Sequence, residues 1–94
     1  MGVRAGRAAT VPGVRELLRA AFAQELGERL PRLAALAAGG PVDPDEVRRD
    51  AHTLASSAWV VDEPEIGRLA RAVEEDLTGG PLPELVAALR AWAP

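Results

Sequence analysis

The run Asp43-Pro44-Asp45-Glu46-Val47-Arg48-Arg49-Asp50-Ala51-His52-Thr53-Leu54-Ala55-Ser56-Ser57-Ala58-Trp59-Val60 decides the fold. It opens with the marks of a helix start: an aspartate able to cap, a proline in the first turn, and two acids facing the positive end of the helix dipole. Val47, Ala51, Leu54 and Ala58 follow at steps of four, three and four, which is one face of a helix reaching about Val60. Arg48, His52, Ala55, Ser56 and Trp59 fall on an adjoining stripe with the same kind of spacing. The helix thus has an inward face and, beside it, an exposed shoulder carrying the chain's one histidine.

The same periodicity extends outward in both directions. Before this run, Leu17, Leu18, Ala21, Phe22, Leu26, Leu30, Leu33, Ala34, Leu36 and Ala37 recur at three and four, predicting a long helix over Val14 to Ala38 that ends at Gly39-Gly40-Pro41. Pro31 lies inside that pattern and predicts a bend near Gly27 to Leu30. After the run, Asp62-Glu63-Pro64-Glu65 reads as a second helix start, with Asp62 and Glu65 spaced as in a capping box. Ile66, Leu69, Ala70, Val73 and Leu77 form the inward face of a third helix. Thr78-Gly79-Gly80-Pro81 closes it, and Leu82, Leu85, Val86, Leu89 and Trp92 mark a fourth, started near Pro83. Trp59 and Trp92 are expected to cover opposite ends. Four amphipathic helices joined by short connections predict an all-α fold, an antiparallel up-down-up-down four-helix bundle.

Composition agrees with this class. The 94 residues are enough for one domain with one core, and 19 alanines with only three aromatic residues favour close-packed helices over sheets. A bundle is expected over residues 11–94, preceded by a flexible tail over residues 1–10. The tail lacks the apolar stretch of a secretory signal, and no segment approaches the roughly twenty apolar residues of a membrane span. A net charge of −3 with interspersed arginines and carboxylates gives no basic face for nucleic acid. The absence of cysteine fits a reducing, cytoplasmic setting.

Reactive chemistry near neutral pH is confined to His52. The chain has no cysteine, tyrosine or lysine, and its eleven basic residues are all arginine, which stays protonated. One histidine without cysteine does not resemble zinc-ligand spacing. Ser56 and Ser57 sit on the same helix as His52 with no strand-to-helix elbow to expose either one, so a nucleophilic triad is not indicated. A lone helical histidine is otherwise a surface residue, and composition alone does not choose between that role and a reactive one.

The segment Ala51-His52-Thr53-Leu54-Ala55-Ser56-Ser57-Ala58 resembles the A-H-x-L-K-G-S-A signature of histidine-containing phosphotransfer (HPt) domains, including the amino-terminal domain of chemotaxis histidine kinases. Phe22 to Leu36 is similar to the family's F-x-x-E-x-x-x-x-L-x-x-L helix, and Leu69-Ala70-Arg71-Ala72-Val73-Glu74 to its L-A-x-x-L-E segment. Order and spacing agree from about Leu17 to Leu77. The resemblance implies that His52 accepts a phosphoryl group and passes it on. Neutral imidazole suits this because its ordinary pKa of about 6.5 leaves most of it unprotonated at pH 7. The resemblance also implies that Glu74 holds Nδ1–H and leaves the Nε2 lone pair outward; pairing of Glu74 with Arg71 or Arg68 is the structural alternative. It implies partners with a receiver-domain aspartate or a histidine-kinase catalytic domain, no cofactor on this chain, and Mg²⁺ and carboxylates supplied by the partner.

Departures from the signature cluster beside His52. The family's lysine three residues on is Ala55, its next glycine is Ser56, and its later Leu-Gly pair is Val61-Asp62. Arg48 and Arg49 are the candidate replacements for the lysine, Ser56 is a candidate donor to phosphoryl oxygen, and Trp59 is either a docking anchor or a lid. These departures motivate an alternative, an HPt-like bundle that binds a kinase or receiver without carrying phosphate. A third reading is a bundle that only oligomerises or pads a larger protein, with His52 incidental.

Overall fold

A computed structural model describes residues 13–92, and the tail expected over residues 1–10 lies outside them. Four helices make up the described chain: α1 (Val14–Ala37), α2 (Pro44–Val60), α3 (Pro64–Glu75) and α4 (Pro81–Ala91). Each packs on its neighbours in sequence, and α4 closes the ring against α1. Glu63, in the connection between α2 and α3, accepts from Arg19 near the start of α1 at 3.2 Å and from the Trp92 indole beyond α4 at 3.0 Å. The starts of α1 and α3 and the ends of α2 and α4 therefore gather at one pole.

The core is the inward face anticipated from the spacing. Val47, Ala51, Leu54 and Ala58 of α2 are buried with Ile66, Ala70 and Val73 of α3 and with Leu82, Leu85, Val86 and Leu89 of α4. From α1 only Phe22 and Leu33 are fully buried, with Leu26, Leu30, Ala34 and Leu36 packed partly against them. Val14, Leu17 and Leu18 are exposed, because the first turns of α1 precede its packed stretch.

α1 and α2 are joined along their seam by a polar ladder. Asp50 of α2, only 2% exposed, accepts a two-pronged contact from Arg32 (Nε to Oδ2 2.6 Å, Nη2 to Oδ1 2.8 Å) and a third bond from Arg29 at 3.1 Å. Arg29 also pairs with Glu25 at 3.1 Å, and Glu25 accepts from the Ser57 hydroxyl at 2.9 Å. Hydrogen bonding to Asp50, reinforced by its charge, raises the Arg32 pKa above its ordinary value. A raised guanidinium contributes stability that is complete below its unfolded pKa and is lost only above it, so this contribution is constant over any ordinary working pH.

α1 runs through Pro31 as the one continuous helix expected there. Several other local expectations need correcting. Asp62 does not cap α3. It is the residue after the α2 cap, at φ 61°, with its N–H bonded to the Trp59 carbonyl and that of Glu63 to the Ala58 carbonyl. This is the Schellman arrangement, and Gly39 at φ 80° occupies the matching place after α1. Glu63 stands at the N-cap of α3 but makes no side-chain cap there, and Glu65 pairs with Arg68 instead of bonding back. α4 begins at Pro81, whose missing N–H costs nothing at the first helical position, and Leu77 is buried from the connection rather than from α3.

The left-handed backbone at Asp62 yields a prediction. Asp62→Gly removes the Cβ penalty of that region and forfeits only an exposed 4.0 Å contact with Arg15. The variant is expected to be stabilised by about 1 kcal/mol, raising Tm by several degrees in a thermal melt. An unchanged or lowered Tm would show that the turn carries no such penalty.

Candidate functional site

His52 stands midway along α2 with its side chain 68% exposed, on the shoulder facing α3. Its Nδ1 lies 2.8 Å from Oε2 of Glu74, near the end of α3. An ionised carboxylate can only accept, so in the neutral ring this bond places the proton on Nδ1 and the lone pair on Nε2. Among the described residues nothing bonds Nε2. Glu74 is itself held in place, its side chain 29% exposed and its backbone carbonyl accepting from Arg48 Nε at 3.3 Å. The alternative pairings of Glu74 with Arg71 or Arg68 are not made, and Arg68 is taken by Glu65.

The remaining predicted site residues are distributed around this pair. Arg48 reaches across to α3 and also contacts Asp45 at 3.5 Å. Arg48 and Arg49 line the groove on one side of His52, together with Asp45 and Thr53. On the other side Ala55, Ser56, Arg71 and Glu75 line a second groove with His52 and Glu74. Ala55 is 2% exposed and forms the floor of that groove, because its position turns toward the inward face of α2; it offers a partner no side-chain surface. Ser56 is exposed.

Trp59 is 49% exposed and rests on α3. A Cβ built on Gly67 would stand 2.9 Å from the indole Cε2 and Nε1, so the ring lies directly against backbone, and only glycine leaves room for it. Trp59 is thus a partial lid and a surface at once, and it lines a further groove with Leu69 and Ala72. Trp92 does not cover the opposite end. It packs edge-on to Phe22 with centroids 4.9 Å apart, under the Arg19 guanidinium, at the same pole as Trp59. The expectation of opposite ends failed because nothing in the fourth helix's spacing says which partner its last residue meets.

Sequence reasoning missed two participants. Helical spacing passes over Gly67, and takes Arg71 only as a partner for Glu74. Their signal was present: Gly67, Arg71 and Glu74 lie four and three apart on one stripe of α3, the stripe that faces His52, Ser56 and Trp59. Among the described residues no group of three or more His, Cys, Asp or Glu side chains could hold a metal ion. No helix there is long and apolar enough to cross a membrane.

A small-residue helix face bearing an outward imidazole, backed by a carboxylate from the next helix of a four-helix ring, defines the class of histidine phosphotransfer modules. The family description Hpt domain matches residues 17–93, and the chain belongs to that family. Its members serve phosphotransfer in two-component signalling, with receiver domains and histidine kinases as their usual partners. No curated protein and no solved structure matches the chain.

Proposed function

We propose that His52 is the phosphoacceptor of a phosphorelay, exchanging a phosphoryl group with a receiver-domain aspartate or taking one from the catalytic domain of a histidine kinase. The observation that supports this is the 2.8 Å contact between Nδ1 and Glu74, which leaves Nε2 outward and unpaired. In the step, the Nε2 lone pair forms a bond to phosphorus while the bond to the donor oxygen breaks, releasing the aspartate carboxylate or ADP. The ring becomes positively charged, keeps its proton on Nδ1, and is stabilised there by the Glu74 carboxylate. Return of the phosphoryl group to a second aspartate runs the same step backwards.

Little else is required of this chain. Phosphoryl transfer depends on alignment and on neutralising charge, and the partner's Mg²⁺ and carboxylates can provide both. The small side chain at Ala55 and the exposed Ser56 let a second protein approach the ring closely, and Trp59 offers a large apolar contact beside it. The relay is assigned to the cytoplasm, where ATP-dependent kinases operate.

The test is incubation with phosphorylated receivers and with kinases from the same genome, followed by the stability of the label. Acid-labile, base-stable label is expected on the unaltered chain and none on His52→Gln. Label that persists in His52→Gln would remove the assignment. Partner binding without any transfer, unchanged in His52→Ala, would move the protein to the non-phosphorylated binding alternative.

A further inference from the structure

Two stripes face one another across the α2–α3 seam. His52, Ser56 and Trp59 stand at steps of four and three on α2, while Glu74, Arg71 and Gly67 stand at steps of three and four, descending, on α3. The ends of the stripes are pinned together, His52 to Glu74 by the 2.8 Å hydrogen bond and Trp59 to Gly67 by direct contact of the indole with backbone. The middle members, Ser56 and Arg71, are therefore opposite each other, and both line the groove that holds His52 and Glu74.

Charge then singles out Arg71. A phosphoryl group on Nε2 brings up to two negative charges into a groove already lined by Glu74 and Glu75. Of the two cations there, Arg48 is engaged with the Glu74 carbonyl and with Asp45. Arg71 is exposed and makes no hydrogen bond or ion pair among the described residues, although Glu74 and Glu75 stand within one helical turn of it.

We propose that Arg71 is a phosphoryl-binding residue: its guanidinium closes on the oxygens of the group carried by Nε2 of His52, with the Ser56 hydroxyl donating to the same oxygens. The positive charge is thereby supplied from α3, whereas Ala55 leaves α2 without one at the third residue after the histidine. The inference rests on the phosphotransfer reading of His52. Arg71 takes no proton and forms no covalent bond in the step; it remains charged throughout, and its planar fork can hold two oxygens together.

The experiment uses the full chain and phosphoramidate, a small donor whose N–P bond breaks with release of ammonia and which needs no protein partner. Label on His52 is followed by ³¹P NMR for the unaltered chain, Arg71→Ala, Arg71→Lys and His52→Gln. Arg71→Ala is expected to acquire label roughly 10- to 100-fold more slowly, the range of a charge-assisted hydrogen bond. Arg71→Lys should recover part of the rate. The second pKa of the bound phosphoryl group should rise in Arg71→Ala, since a charge favouring its dianion is gone, and a purely structural role would not move it. Equal rates and equal titration curves for the unaltered chain and Arg71→Ala would overturn the role of Arg71 alone. An unaltered chain that takes no label, or a His52→Gln chain that does, would overturn the phosphotransfer reading and the role of Arg71 with it.

Discussion

Asp50→Ala is expected to lower the stability of the bundle by about 3 kcal/mol, or roughly 15 °C in Tm, without altering the residues around His52. The reason is the geometry of the α1–α2 seam. Asp50 is buried to 2% exposure and accepts three bonds from two guanidiniums. Removing it leaves Arg32 without its hydrogen-bonded carboxylate, with only the charges of Glu46 and Glu28 acting on it, while Arg29 keeps Glu25. The cost falls at the lower end for a broken buried pair because both arginine side chains retain some exposure, 24% and 41%, and can turn toward water. Asp50→Asn keeps an acceptor but loses the charge, so an intermediate loss is expected. Chemical denaturation measures both, and a loss under about 0.5 kcal/mol for Asp50→Ala would show that the ladder follows the packing of α1 rather than fixing it.

Glu74→Ala is expected to slow phosphoryl acceptance by His52 on the order of 100-fold while leaving Tm nearly unchanged. Glu74 does not touch phosphorus. On the proposed role it holds the ring proton on Nδ1 and faces the positive charge that a phosphorylated ring would acquire, and both effects would act at the transition state rather than on the resting fold. Glu74→Gln can still accept through its amide oxygen, so it should keep the tautomer and recover part of the rate while lacking the charge. Proton-detected ¹⁵N spectra of the imidazole supply a direct readout, with the Nδ1–H form dominant in the unaltered chain and a mixture in Glu74→Ala. Should Glu74→Ala transfer at the unaltered rate, the 2.8 Å contact would be a surface hydrogen bond with no part in the chemistry.

What the sequence made legible follows from the physics of each feature. Helix content and the core faces of α2, α3 and α4 were readable because burial imposes a period, and Val47, Ala51, Leu54 and Ala58 keep it. The His52–Glu74 pairing was reachable through family resemblance, since no rule of spacing connects residues 22 apart on different helices. Helix joints were the weak point. Asp62 looks like a cap because aspartate is a good one, yet it also tolerates the left-handed backbone, and only the tertiary path of the chain chooses between these uses. The Asp50 ladder was hidden for a similar reason: its arginines lie 18 and 21 residues away, and an aspartate among charged neighbours reads as solvated until the helices are brought together. Ala55 shows the limit of motif comparison, because a substituted signature position can sink to the floor of a groove while a residue outside the signature, Arg71, lines its wall.

The carboxylate of Glu63, bonded to both Arg19 and Trp92, bears on how this domain can be attached to anything else. It ties the entry of the first helix to the exit of the last, so chain fused before residue 13 or after residue 92 sets out from the same pole. His52 lies midway along α2, with the Arg48 side of its groove turned toward the opposite pole. The points at which flanking chain joins residues 13 and 92 thus lie on one side like a stem, away from the Arg48 side of the groove, where the imidazole held by Glu74 can meet a visiting protein.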